Sequence, residues 1–161
     1  YDEDEIASAG FDRPLVDFVS ENKIVVVVEN RPRKDDTAFE FIVDEILSFA
    51  KKYKLSENIE FLFLAKDGKV NKKSFDDRIS KIDPILIFAF GSKVLQTIEK
   101  EKLSISDLTG TTTWSKDRQC WICWSVNQAS MYYSDENKKT INEAIENFKR
   151  TLKSISGKNA K

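Results

Sequence analysis

The chain has 161 residues, 40% of them apolar, and its 26 basic and 27 acidic side chains leave a formal charge of −1. That balance excludes a global field drawing the molecule onto nucleic acid or an anionic membrane, and no apolar run approaches the roughly 20 residues of a membrane helix. Histidine is absent, which excludes Ser-His-Asp and Cys-His catalysis and every imidazole-ligated metal site.

Residues 1–22 read as an N-terminal arm or linker, with a short helix or arm over Asp12–Ser20. The acidic start from Asp2 to Glu5 is the opposite of a signal peptide's basic region, so an intracellular protein is expected. The first strand is expected over Lys23–Glu29, where Ile24 and four consecutive valines supply the β-branching a central strand favours. A polar loop, Asn30–Lys34, follows. Asp35 or Asp36 then caps a helix with apolar positions at Phe39, Ile42, Val43, Ile46, Leu47 and Ala50. Ile59–Ala65 reads as a second strand closed by an Asp67-Gly68 turn, and Ser74–Ile82 as a short helix.

From Pro84 the unbroken apolar run Ile85–Phe90 meets Gly91-Ser92 and passes into Val94, Leu95 and Ile98 at helical spacing. A strand buried on both faces and a following helix are predicted. Leu103–Thr113 reads as a connector, with a short strand or hairpin near Thr111–Trp114, and Arg118–Val126 as a fourth strand. From Ser134 or Asp135 a last helix carries Ile141, Ala144, Ile145, Phe148, Leu152 and Ile155 on one face. The domain is expected over 23–156, with 157–161 as a tail or linker. Together with Tyr1 in place of Met, that polar tail suggests a piece of a longer polypeptide.

Strands alternating with helices predict an α/β fold, a three-layer α/β/α sandwich with a mostly parallel sheet of four or more strands. Such a sheet gathers the loops that leave the carboxyl ends of its strands. Those loops are Glu29–Lys34, Lys66–Lys69, Gly91–Lys93 and Asn127–Ser130. They nominate Arg31, Arg33, Lys34, Lys66, Ser92, Lys93, Asn127, Gln128 and Ser130 as nucleic-acid contacts, aided by the N–H groups of the helix after Gly91. Trp114, Tyr132 and Tyr133 are candidate stacking surfaces. The competing reading is that charged loops in a chain with 33% charged residues are simply solvated.

No nucleotide cradle is present. Gly91-Ser92-Lys93 lacks the upstream glycine and the residue order of a P-loop, and five glycines leave no room for a dinucleotide fingerprint, so no cofactor is expected. Glu29 and Asp67 do not form a spaced acid pair, and Asp35-Asp36 reads as a helix cap rather than a metal site. Cys120 and Cys123 cannot complete a zinc site. Three residues apart on a strand, they point to opposite faces and read as buried structural thiols.

Across residues 23–155 the order of these pieces resembles the uracil-DNA glycosylase superfamily, including the glycosylase-like domains fused to some phage polymerases. Four segments carry the resemblance: Val26-Val27-Val28-Glu29-Asn30-Arg31-Pro32, Pro84–Val94, Leu108-Thr109-Gly110, and Trp121–Ser130. In that family the first loop positions a water and the last supplies an imidazole. The resemblance therefore implies Asn30 or Asp36 in the first role and Gln128, give or take one position, in the second. The first loop lacks the family's glycines, and an amide replaces the imidazole. Losing the best donor to a developing oxyanion costs on the order of a hundredfold in rate.

The resemblance thus implies a non-catalytic accessory or docking module of a larger, viral-type nucleic-acid polymerase, with other domains of that polypeptide and DNA as its partners and neither membrane nor dinucleotide. A phage origin would place it in the host cytoplasm or the virion. One alternative is an active base-excision enzyme using Asn30 and Gln128; another is a purely structural domain with an apolar patch around Trp114, Tyr132 and Tyr133.

Overall fold

Five of the seven residues of strand β1 (Ile24–Asn30) are aliphatic and fully buried, and they seat this strand in the middle of a sheet. A computed structural model describes residues 23–55, 58–66, 69–99 and 103–159. After β1 come α1 (Thr37–Lys51), β2 (Ile59–Lys66), β3 (Lys69–Val70), α2 (Lys72–Ile82), β4 (Leu86–Phe90) and α3 (Ser92–Ile98). Then follow α4 (Ile105–Leu108), β5 (Thr112–Ser115), β6 (Cys120–Ser125), a 3-10 turn (Gln128–Tyr132) and α5 (Asp135–Asn159). The expected arm helix at 12–20 and the Asp67-Gly68 turn lie outside the described residues.

The six strands form one sheet in the order β3-β2-β1-β4-β6-β5. The pairings β2-β1, β1-β4 and β4-β6 are parallel, whereas β3 runs antiparallel to β2 and β5 antiparallel to β6. The sheet is therefore mixed rather than mostly parallel. Connection length explains this. Two residues separate β2 from β3 and four separate β5 from β6, far short of the dozen or so that a parallel crossover needs. The hairpin expected near Thr111–Trp114 is β5 with β6.

Alternation along β1 divides the core. Val26 and Val28 join Ile42 and Ile46 of α1 and Ile145 and Phe148 of α5, with Phe148 stacked on Phe88 at 4.6 Å. Val25 and Val27 join Phe75 and Ile79 of α2 and Val94 and Leu95 of α3. Each fully buried valine stabilises the fold by about 1.5 to 3 kcal/mol, which holds β1 against lateral displacement.

Caps set the helix ends. Asp36, not Asp35, caps α1, its Oδ1 accepting the Phe39 N–H at 3.0 Å. α2 starts two residues before the expected Ser74, because Asn71 Oδ1 accepts the Ser74 N–H at 3.0 Å. Left-handed Asp83 (φ 51°) then ends it before Pro84. α5 continues through residues 157–159, which the sequence reading assigned to a tail; Ile155, expected on its apolar face, lies outside the described side chains.

Cys120 and Cys123 are both buried and unbridged, and they fall in the two different apolar clusters, as the strand period requires. Cys123 Sγ lies 3.3 Å from Thr112 Oγ1, which also accepts from Asn147 Nδ2 at 3.0 Å. Burial pushes the Cys123 thiol from an ordinary 9.0 up to about 11, against the opposing hydrogen bonds of Thr112 and Thr151. Between those two values the unfolded chain loses a proton that the folded chain keeps, so stability falls as pH rises. The expected loss from this thiol is about 2 kcal/mol by the top of that window. Urea midpoints measured below and above it should drop less in Cys123→Ala than in the unmodified chain; equal drops would count against the assignment.

Candidate functional site

Parallel pairing points the carboxyl ends of β2, β1, β4 and β6 the same way, with Asn30 opposite Ala65 and Phe90 opposite Ser125. The loops after β1, β4 and β6 are thereby neighbours at one edge. Their joint is Glu29, a carboxylate buried directly after the five aliphatic residues of β1. Glu29 Oε2 accepts the backbone N–H of Lys93 at 2.8 Å, and Oε1 accepts Asn127 Nδ2 at 2.5 Å. Asn127 Oδ1 in turn accepts the Ala129 N–H at 2.9 Å and opens the 3-10 turn. One side chain therefore fastens three loops.

Gly91 makes this approach possible. Its backbone lies at φ 102° and ψ 158°, a region side chains avoid, while its N–H donates to Ser125 O at 2.8 Å. A Cβ at this position would overlap the Glu29 carboxylate. The arrangement also corrects an expectation: the Lys93 N–H at the start of α3 already serves Glu29, so it is not open to a phosphate.

Beside this joint lies a cleft of about 910 Å³, into which Asn30, Arg31, Arg33, Asn127 and Gln128 all converge. Arg31 and Arg33 are solvent-exposed, whereas Gln128 is buried and its Oε1 has no hydrogen-bond partner among the described residues. Tyr132 forms another wall. Its hydroxyl donates to Asp36 Oδ1 at 2.9 Å and accepts the Ala38 N–H at 2.8 Å, tying the turn to the start of α1. The same Asp36 oxygen thus serves both the helix cap and Tyr132.

The other expected contacts are placed differently. Lys34 is exposed on the loop after β1, and Ser92 and Lys93 are exposed at the start of α3, none of them lining the cleft; Ser130 sits within the 3-10 turn, its carbonyl accepting from Asn137 Nδ2 at 3.0 Å. Lys66 ends β2, with its side chain outside the described part. Trp114 departs furthest from expectation. It pairs in register with Trp121 near the start of β6, rings 5.0 Å apart and edge to face, at the end of the sheet away from Asn127. Tyr133 is 84% exposed.

Sequence reasoning treated Glu29 as an acid without a mate and so missed its role. A signal was present: a lone carboxylate ending a run of buried valines needs donors, and Asn127 and the backbone after Gly91 supply them. No protein-family model matches the chain, and neither does any curated protein. Among the described residues no group of three or more His, Cys, Asp or Glu side chains could hold a metal ion, and no helix is long and apolar enough to cross a membrane.

Proposed function

We propose that this chain is a glycosylase-like, non-catalytic docking module of a larger, viral-type nucleic-acid polymerase, and that its cleft contacts DNA. The observation that carries the reading is the cleft itself, lined by two exposed guanidiniums and a buried amide whose carbonyl oxygen lacks a partner among the described residues. Guanidiniums suit phosphates, and an amide suits a polar base edge. Chemistry is disfavoured because no imidazole is available and two of the three carboxylates at the cleft are occupied, Glu29 holding two donors and Asp36 Oδ1 a helix cap and a tyrosine hydroxyl, while Asp35 is solvent-exposed. The helices on either side of β1, one pair in each apolar cluster, support the three-layer arrangement that places this cleft at a strand edge.

Fluorescence anisotropy of labelled single- and double-stranded DNA, titrated at salt from about 50 to 200 mM, tests the reading. Binding should weaken steadily with salt, and Arg31→Ala with Arg33→Ala should lower the salt slope by about 2. Uracil-containing DNA should yield no abasic sites. A salt-insensitive absence of binding would remove the DNA role, and abasic products would restore the enzyme.

A further inference from the structure

The outer edge of β2 is paired only at its end, where Ala65 faces Val70 and Lys66 faces Lys69. From Ile59 to Leu64 no strand covers that edge among the described residues. Its N–H and C=O groups form a template for another strand. A groove of about 570 Å³ lies there, and its lining identifies its course. Phe61 and Phe63, whose rings each meet Phe39 at 5.9 Å, belong to the α1 side of the sheet, whereas Leu62, Leu64 and Phe75 belong to the other. Successive strand residues point to opposite faces, so a groove lined by both sets follows the backbone edge between them. Phe63 and Val70, 38% and 46% exposed, leave apolar surface on the same margin.

Charge selects the occupant. Lys69 is exposed and lines the groove where β3 closes its end. Arg31 lines the groove without an ion pair among the described residues, while the acid Glu60 is already engaged by Arg78 at 2.9 Å. We propose that this edge receives an extended strand from another protein, apolar and acidic residues alternating, which hydrogen-bonds to β2 and sets its acids beside Lys69 and Arg31. Backbone pairing would supply the affinity and the cationic end the preference.

The probe is a labelled peptide of alternating valine and glutamate with blocked ends, titrated against the whole chain. It should bind saturably; the lysine counterpart should not, nor should the glutamate peptide methylated at alternate backbone nitrogens. Lys69→Glu should weaken the glutamate peptide about fivefold, the scale of exposed ion pairs, and turn the preference towards the lysine peptide. Lys69 is exposed, so a lost fold is not expected, and an unchanged urea midpoint checks it. Equal binding of both peptides, or binding of neither, overturns the proposal. Hydrogen exchange on the peptide-free chain discriminates the other occupants. Slow exchange at the amides of Ile59–Leu64 that point away from β1, at every concentration, would show the edge filled by this chain's own residues, and protection of those amides growing with concentration would show a second copy; either result overturns the proposal.

Discussion

Gly91→Ala should lower the unfolding free energy by about 3 kcal/mol or more, because two independent costs fall on one methyl group. The first is conformational: φ 102° with ψ 158° is open to glycine and closed to residues with a Cβ. The second is steric, since the new Cβ would meet Glu29 Oε2, Cδ and Cγ together. The carboxylate cannot simply swing aside, because it is held at both oxygens by Lys93 N and Asn127 Nδ2. Urea unfolding followed by tryptophan fluorescence measures the loss. A companion Gly91→Ala/Glu29→Ala chain separates the two costs, since it removes the collision and keeps the backbone strain. Its loss should fall well below the sum of the single losses, whereas strict additivity would show that the collision is relieved elsewhere.

The second large effect is expected at Glu29. Truncation to alanine strands two donors in a buried setting, the Lys93 N–H and the Asn127 amide, and costs about 3 kcal/mol. Glu29→Gln is the sharper experiment. A glutamine keeps the shape, but both partners are donors, so its own NH₂ must face one of them wherever the amide is turned. It should therefore recover little of the alanine loss, about 1 kcal/mol at most. Full recovery in Glu29→Gln would mean that volume, not acceptor count, is what the position needs. Both variants should also weaken the DNA binding proposed for the cleft beyond their stability cost, because Asn127, released from Glu29, no longer orients the turn carrying Gln128. Titrations under conditions where each variant is fully folded check that point.

These two positions illustrate what could be read in advance. The valine run, the Ile85–Phe90 run and the helical spacing of Ile42, Ile46 and Ala50 announce their elements, because burial on a sheet or helix leaves a period of two or about 3.6 in the chain itself. The convergence of Arg31, Arg33, Asn127 and Gln128 was legible at one remove, since parallel strands deliver their following loops to one edge. The antiparallel margins were less so. β3 has two residues and carries no period, and the stacking role expected of Trp114 failed because a hairpin register, invisible in composition, seats it against Trp121 instead.

What the sequence determined by itself was therefore local and periodic: which segments become strands and helices, which faces they bury, and that no imidazole is available for chemistry. Tertiary structure alone decided the hydrogen-bond partners of Glu29, which stand 64 and 98 residues away along the chain. It also decided which strand edge is left unpaired among the described residues. The physical reason is that periodicity records how a residue meets its own element, whereas a buried carboxylate chooses donors by distance in space, and that distance exists only once the sheet order has been set.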